Sequence, residues 1–126
     1  MLFIGLKKRV KIGKFPIEIE QKKAILPAYR QGIEQLIKRD LHPQAWKEKP
    51  FNPIQDFLGQ SLPVKTQFYA KIGWTFNNRN DAAIIVSLDN KAHYILVVFG
   101  DEKKFYQDKE FFPIISRQVY KQMLKK

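Results

Sequence analysis

The 126-residue sequence contains no cysteine, which excludes disulfides, thiolate metal sites and a cysteine nucleophile. It also lacks an apolar run of the roughly 18 residues that would suggest a membrane span. The segment from Met1 to Leu6 is too short for the apolar region of a signal peptide. No glycine-rich phosphate loop occurs among its six glycines. The sequence as given therefore predicts a soluble protein without an export signal or membrane span, and it leaves the compartment open.

Histidine is scarce too, and neither residue has a partner at the spacing of a metal site. His42 and His93 are far apart, without a second histidine or carboxylate at metal-ligand spacing, so both are interpreted as surface residues. Asp56 and Asp81 are interpreted as a helix residue and a turn residue rather than as an acid/base pair. The sequence thus predicts no metal, no cofactor and no catalytic residue of its own.

Basic residues are abundant, and the formal net charge is +11. Residues 1–23 carry seven Lys or Arg against two Glu, whereas the remaining excess is spread over the chain. A nucleic-acid interface would favour one basic face interleaved with aromatic residues, which this distribution does not show. We therefore divide the chain into a basic N-terminal arm, residues 1–23, interpreted as a weak strand or a loose arm, and a single α+β domain, residues 24–126.

Apolar residues make up 44% of the chain and aromatic residues 13%, enough for one small hydrophobic core. Apolar residues at helical spacing predict a helix near residues 27–40, and Asn52-Pro53 predicts the start of a short helix near 53–58 that Gly59 ends. The proline-rich segment 42–53 is predicted to be mostly loop.

From Thr66 onward the pattern changes to strands. Three of them are predicted, from Gln67 to Thr75, from Ala82 to Leu88 and from Tyr94 to Phe99, and they form an antiparallel sheet over residues 66–99. Two of these runs are continuously apolar, which indicates that helices cover the sheet from at least one side. An apolar stripe at i, i+4, i+8 and i+12 after Asp108 predicts a C-terminal helix over residues 109–125, packed on the sheet.

The order of segments from Phe57 onward is FLGQSLP, YAKIGWT, RNDAAIIV, AHYILVVF and FFPIISRQVYKQ. This order resembles the C-terminal part of the β-lactamase-like serine hydrolases, the superfamily of penicillin-binding proteins and class A β-lactamases. In that family a strand with Lys-Thr-Gly precedes a turn, an Asn-Asp pair, an apolar hairpin and a terminal helix. Lys71-Ile72-Gly73 aligns with the first motif and Asn80-Asp81 with the second. The resemblance covers roughly residues 30–126.

The resemblance implies a substrate-binding edge strand and, as class chemistry, the hydrolysis of amides or β-lactams. Lys71 would present a cation to a substrate carboxylate or to the catalytic serine network. Gly73, without a Cβ, would let a small-molecule substrate lie against the backbone as an added strand. The backbone N–H of Trp74 would be an oxyanion-hole donor, and Thr75 would line the cleft.

The sequence departs from the family in its nucleophile. The family uses a Ser-x-x-Lys motif, and none of the serines here has lysine three positions later: Ser61, Ser87 and Ser116 are followed by Val64, Asn90 and Val119. Ser87-Leu-Asp-Asn90 is interpreted as the end of a strand and the turn of a hairpin rather than as the family's Ser-x-Asn motif. Ile72 replaces the usual threonine and so removes a hydroxyl that would bind a substrate carboxylate.

Three explanations remain open, and all predict that the chain alone is inactive. In the first explanation, the chain is the C-terminal part of a truncated or split bacterial serine hydrolase, whose partner is the missing N-terminal half or a second copy. Alternatively, it is a degenerate relative that binds without catalysis, or a small basic module for nucleic acid or an acidic partner. Members of the family are typically exported to the periplasm or cell surface, whereas this sequence shows no signal peptide.

Overall fold

The fold is organised around one antiparallel sheet. The structure, a computed structural model, describes residues 4–12, 15–23, 32 and 34–125. Six strands are joined in the order β1-β2-β6-β5-β4-β3, and every neighbouring pair is antiparallel. Their bounds are Ile4–Ile12 for β1, Phe15–Lys23 for β2, Lys38–Arg39 for β3, Gln67–Trp74 for β4, Arg79–Val86 for β5 and His93–Gly100 for β6.

Three helices with defined bounds accompany the sheet in the described part of the chain: α1 is Pro43–Trp46, α2 is Lys103–Tyr106 and α3 is Phe111–Leu124. The predicted α+β class, with an antiparallel sheet and a C-terminal helix, is confirmed. The predicted number of strands is wrong, because the described residues form a sheet of six strands, of which the three predicted ones are β4, β5 and β6. The short helices α1 and α2 were not predicted, and α1 lies within the segment predicted to be mostly loop.

The additional strands come from segments with weak local signals. The described part of the basic arm, residues 1–23, forms β1 and β2, and β2 joins β6 where Glu20 lies opposite Ile95. At the other edge, β3 pairs Lys38 with Tyr69 and Arg39 with Phe68. Tertiary pairing thus converts two residues that continue a helical pattern into a strand.

The helix predicted near 27–40 ends earlier than predicted, and its start is untested. Residues 34–37 are helical and are followed directly by β3, whereas 24–31 and 33 lie outside the described residues. The predicted helix near 53–58 is wrong, since this segment forms turns. Asn52 Oδ1 does accept the N–H groups of Ile54 and Gln55, but Asp56 adopts a φ of 65° that no right-handed helix can continue.

Gly59 serves close packing rather than the end of a helix. A Cβ at this position would lie 2.9 Å from Phe68 Cε1, 3.0 Å from Leu41 Cδ2 and 3.1 Å from Ile54 Cδ1. The loop that precedes β4 can therefore approach the sheet only because residue 59 has no side chain.

The hydrophobic core lies between one face of the sheet, the segment 41–62 and α3. Alternate strand residues point into it, including Phe68, Ala70, Ile85, Tyr94 and Leu96, all at most 2% exposed. The helix α3 contributes the following buried apolar side chains: Phe112, Pro113, Ile115, Val119 and Met123. Asp108 was predicted to be the N-cap of this helix, but the N-cap is Glu110. Asp108 Oδ1 instead accepts the N–H of Glu110.

The opposite face of the sheet, called the outer face below, is covered only in part. It carries Lys71 and Gly73 on β4, Ala82 on β5, and Val97 and Phe99 on β6. Val97 is 42% exposed and Phe99 is 72% exposed. In the described part of the chain, no helix is long and apolar enough to cross a membrane.

Candidate functional site

The strand with the Lys-x-Gly motif is an edge strand over its second half. Two residues of β3 pair with Phe68 and Tyr69, so the first half of β4 is enclosed between β3 and β5. Among the described residues, 70–74 have no strand partner on that side. An open edge therefore begins just before Lys71 and runs to Trp74.

The direction of the backbone groups along this edge follows from the hairpin. Thr75 donates its N–H to the Asn78 carbonyl at 3.0 Å, so the backbone groups of residue 75 face β5. Because N–H and C=O groups alternate in direction along an antiparallel strand, those of Trp74 and Ile72 point away from β5. The open edge thus presents the Trp74 N–H and the Ile72 carbonyl on the same side.

Lys71 places its cation at this edge. Its side chain is exposed, and Nζ donates to the Ile72 carbonyl at 3.3 Å. That carbonyl is one of the backbone groups of Ile72 and Trp74 that face the open edge. Among residues 34–125, no carboxylate lies within ion-pair distance of Lys71, so the ammonium group retains donors for an anionic ligand.

Gly73 leaves the backbone bare without a packing requirement inside the described chain. A Cβ at this position would meet only Asn80, with Cβ and Nδ2 both at 3.9 Å, which is ordinary van der Waals contact. This contrasts with Gly59, where a Cβ would approach the Phe68 ring to 2.9 Å. Nothing in the described part of the molecule itself therefore requires a glycine at residue 73.

Trp74 and Thr75 have different surroundings. The Trp74 ring lies on the core side of the sheet, 52% exposed, with its centroid 6.1 Å from that of Phe51. Thr75 donates its hydroxyl to Asn77 Oδ1 at 2.7 Å and accepts the Asn77 N–H, so its side chain is engaged in the hairpin turn. Of the four predicted residues, Lys71, Gly73 and Trp74 lie in β4 and Thr75 follows it. Only Lys71 and Gly73 share the outer face.

Asp81 is the residue whose environment the sequence failed to indicate. The prediction of a turn residue is wrong, because Asp81 lies inside β5, opposite Ile72, and is 1% exposed. Burial raises the pKa of its carboxyl from 3.8 to about 7, although Oδ2 accepts the N–H of Leu58 at 3.0 Å. The carboxylate thereby holds the segment before β4 against the sheet. The apolar neighbours Ala82 and Ala83 gave the only available sign of a buried position.

The arrangement of strand, turn, strand, hairpin and C-terminal helix agrees with one protein family. Residues 34–123, well over half of the chain, match the model of a beta-lactamase enzyme family, Beta-lactamase2. The chain belongs to this beta-lactamase enzyme family. The matched region includes the Lys71 edge and Asp81. Among curated proteins and among solved structures, none matches the chain.

In this beta-lactamase family member, the three serines hydrogen-bond within the fold or are buried. Ser61 donates to the Pro113 carbonyl at 2.6 Å, and Ser87 donates to Asp89 Oδ1 at 2.7 Å. Ser116 is completely buried in α3. Within residues 34–125, none of these hydroxyls is hydrogen-bonded to a lysine or histidine that could activate it as a nucleophile.

The histidines do not form a second site. His42 and Asp40 are both more than half exposed and are joined by a contact of 2.7 Å between Nδ1 and Oδ1. The backbone N–H of His42 and then its ring lower the pKa of the Asp40 carboxyl. No group of three or more metal-ligating side chains occurs in the described residues.

Proposed function

We propose that this chain is the C-terminal region of a β-lactamase-like serine hydrolase and that the open half of β4 binds a substrate with a carboxylate, such as a β-lactam. Membership of the beta-lactamase family supplies the class chemistry, hydrolysis of an amide bond. The observation that carries the proposal is the convergence of the Lys71 ammonium group and the Trp74 N–H at one open edge.

Each group of the edge has a distinct role in the proposal. Lys71 attracts the substrate carboxylate, because an ammonium group forms charge-assisted hydrogen bonds with anions. The Ile72 carbonyl and the Trp74 N–H pair with the substrate amide as an added strand would. The Trp74 N–H then stabilises the oxyanion that develops on the attacked carbonyl. Gly73 keeps this approach open, and Thr75 closes the end of the edge.

The serine nucleophile is proposed to come from another polypeptide segment. The serines of this chain lack the Ser-x-x-Lys spacing, and their hydroxyls bind a backbone carbonyl, bind a turn carboxylate or lie buried. A missing N-terminal half or a second protein chain would therefore face the open edge. Ile72 at the position of the usual threonine weakens the carboxylate site by one hydroxyl, which leaves Lys71 as its principal donor.

A non-catalytic relative that binds the same ligands is the second candidate. It is favoured by the same three serines, because a binding protein needs the edge but no activated hydroxyl. Both candidates predict binding at the edge by this chain alone, and only the first predicts hydrolysis after a complementary Ser-x-x-Lys polypeptide is added.

A first test measures ligand binding and hydrolysis separately. We expect the purified chain to bind a carboxylate-bearing β-lactam in a calorimetric titration without hydrolysing a chromogenic β-lactam. Lys71→Ala should weaken binding roughly five- to tenfold, since one exposed charge-assisted hydrogen bond is lost. Lys65→Ala, a change at another exposed lysine on the same loop-to-strand segment, should leave binding unchanged.

Two results would contradict the proposal. Equal affinity of the Lys71→Ala variant and the unchanged chain would place the ligand elsewhere. Steady-state hydrolysis by the chain alone that disappears in Lys71→Ala would refute the claim that the nucleophile comes from outside.

A further inference from the structure

A second concave surface lies on the core side of the β4–β5 hairpin, across the sheet from Lys71. It is a cavity of about 260 Å³, and we call it the aryl pocket. Phe51, Phe57 and Trp74 provide its aromatic wall, while Arg79, Lys49 and Asp56 provide its charged groups. Small-molecule sites commonly combine aromatic walls with a few convergent polar groups in this way.

The guanidinium of Arg79 is the central polar group of this pocket. Arg79 is only 6% exposed, and its guanidinium carbon lies 5.4 Å from the Phe57 ring centroid and 5.6 Å from that of Trp74. Both distances allow cation–π attraction. The aromatic wall thus surrounds a fixed positive charge at the turn end of the β4–β5 hairpin.

This charge is incompletely partnered. Arg79 donates one N–H from Nη1 to the Asp56 backbone carbonyl at 3.2 Å. Its buried Nε has no hydrogen-bond partner in the described part of the molecule. Within residues 34–125, no carboxylate lies within ion-pair distance, and Asp56 offers the guanidinium its backbone oxygen. A buried guanidinium without a counter-charge is costly, so the pocket favours an anionic ligand.

The loop that forms the rim holds two residues in a conformation that side chains rarely adopt. Phe51 has a φ of 54° and Asp56 a φ of 65°. Each such residue costs on the order of 1 kcal/mol or more. The first position keeps the Phe51 ring 87% exposed beside Trp74, and the second brings the Asp56 carbonyl to Arg79. The aromatic group at the mouth of the pocket is thus displayed to solvent.

We propose that the aryl pocket binds a small aromatic carboxylate, with its ring packed against the exposed Phe51 and Trp74 rings and its carboxylate at the Arg79 guanidinium. The exposed rings offer stacking surfaces, and the planar guanidinium matches a carboxylate. Lys49 and Arg79 give the lining two positive charges and Asp56 gives it one negative charge, so the net charge is one positive unit. This net charge favours a monoanion. This site is separate from the β4 edge, because Lys71 lies on the outer face of the sheet.

Nuclear magnetic resonance tests this proposal on the unmodified chain, which has only two tryptophans. Phenylacetate should shift the indole N–H signal of Trp74 in a saturable manner and leave that of Trp46 unchanged. Trp46 is a useful internal control because its indole donates to the Leu41 carbonyl at 3.1 Å. For a ligand of about ten non-hydrogen atoms, we expect a dissociation constant in the millimolar range. Trp46→Phe identifies the two signals.

Phenylacetamide, the neutral analogue, should bind at least about tenfold more weakly, since it lacks the charge that Arg79 requires. Phe51→Ala removes an exposed ring without disturbing the core and should weaken phenylacetate severalfold. Arg79→Gln should abolish the preference for phenylacetate over phenylacetamide. If this buried substitution unfolds the chain, the comparison of the two ligands and the Phe51→Ala variant still decides the matter.

Equal binding of phenylacetate and phenylacetamide would overturn the proposal, as would equal, non-saturating shifts of both tryptophans. Lys71→Ala separates this site from the β4 edge. The substitution should leave phenylacetate binding unchanged even if it weakens the β-lactam, and a loss of phenylacetate binding would assign the ligand to the edge instead. Failure at the aryl pocket and failure at the edge are therefore distinguishable.

Discussion

At the scale of single residues, Asp81 connects the sheet to the segment before β4. Its carboxylate is buried and accepts the Leu58 N–H, and Oδ1 has no hydrogen-bond partner among the described residues. Burial raises the pKa of this carboxyl from 3.8 to about 7, because desolvation outweighs the hydrogen bonds and the charge of Arg39. The folded state therefore favours the protonated carboxyl more strongly than the unfolded state does.

Stability should accordingly depend on pH between about 4 and 7. Since the pKa is higher in the folded state, the folded protein binds more protons in this range, and the free energy of unfolding falls as pH rises. A difference of about 3 pKa units corresponds to a loss on the order of 4 kcal/mol, complete near pH 7. Urea unfolding at a series of pH values measures this slope.

Asp81→Asn should flatten this pH dependence while Asn Oδ1 still accepts the Leu58 N–H. Asp101→Asn, a change at an exposed carboxyl, is the matched control and should preserve the slope. If the stability of the unchanged chain is constant or rises from pH 5 to pH 7, folding does not raise the pKa of Asp81.

At the scale of elements, β4 combines two different demands in eight residues. Its first half packs Phe68 and Ala70 into the core and pairs with β3, whereas its second half leaves the backbone of Ile72 and Trp74 open. Gly59 belongs to the packed region and Gly73 to the open edge. Their surroundings separate a glycine that the packing requires from one that the described packing does not require.

The same substitution at both glycines should give opposite results. Gly59→Ala should destabilise the fold by about 1–3 kcal/mol, because the new Cβ overlaps the Phe68 ring. Gly73→Ala should leave stability unchanged or raise it by up to about 1 kcal/mol, since alanine is favoured over glycine in a strand. Chemical denaturation measures both effects.

Ligand binding should show the reverse order for the two variants. The proposal for the edge predicts that Gly73→Ala weakens the binding of a carboxylate-bearing β-lactam. The folded fraction of Gly59→Ala should bind normally. Strong destabilisation by Gly73→Ala would mean that the glycine serves the fold and would remove this support for the edge.

At the scale of the whole molecule, the sheet is covered unequally. On the core side, α3 and the segment 41–62 bury the strands, whereas the outer face leaves the large apolar side chains of Val97 and Phe99 exposed. Exposed apolar patches on a sheet favour association with another surface. We propose that this face contacts the missing half of the hydrolase or a second copy of the chain.

Association of the purified chain is therefore expected to depend on Phe99. In sedimentation velocity experiments, Phe99→Ser should weaken self-association by roughly tenfold, because one large aromatic contact is lost. Leu88→Ser is the matched control, since Leu88 is 70% exposed but follows β5 in the turn region. If both variants associate like the unchanged chain, or if the chain is monomeric at high concentration, the outer face does not bind a second copy of the chain.

Patterns of neighbouring residues were sufficient to predict several parts of this fold. The two apolar runs 82–88 and 94–99 and the polar connection between residues 75 and 80 led to the central hairpins within a few residues of their bounds. The apolar stripe after Asp108 likewise led to α3. These elements are predictable because their periodicity records which face is buried.

The wrong predictions concern segments whose structure depends on distant partners. Lys38 and Arg39 continue a helical pattern, yet they pair with β4. Asn52 does accept two backbone N–H groups, but no helix follows, because Asp56 leaves the helical region and provides a carbonyl for Arg79. No pattern along the chain contains the partner that decides these conformations.

By itself, the sequence determined the α+β class, the three central strands, the C-terminal helix and the resemblance to the family. It also named Lys71, Gly73, Trp74 and Thr75 as candidates, whose role stays a prediction. Only the tertiary structure decided which half of β4 is open, that Asp81 is buried, and that Arg79 lies within an aromatic pocket. These properties arise from contacts between residues distant in sequence, because burial, desolvation and backbone pairing are set by what folds against a residue rather than by its neighbours.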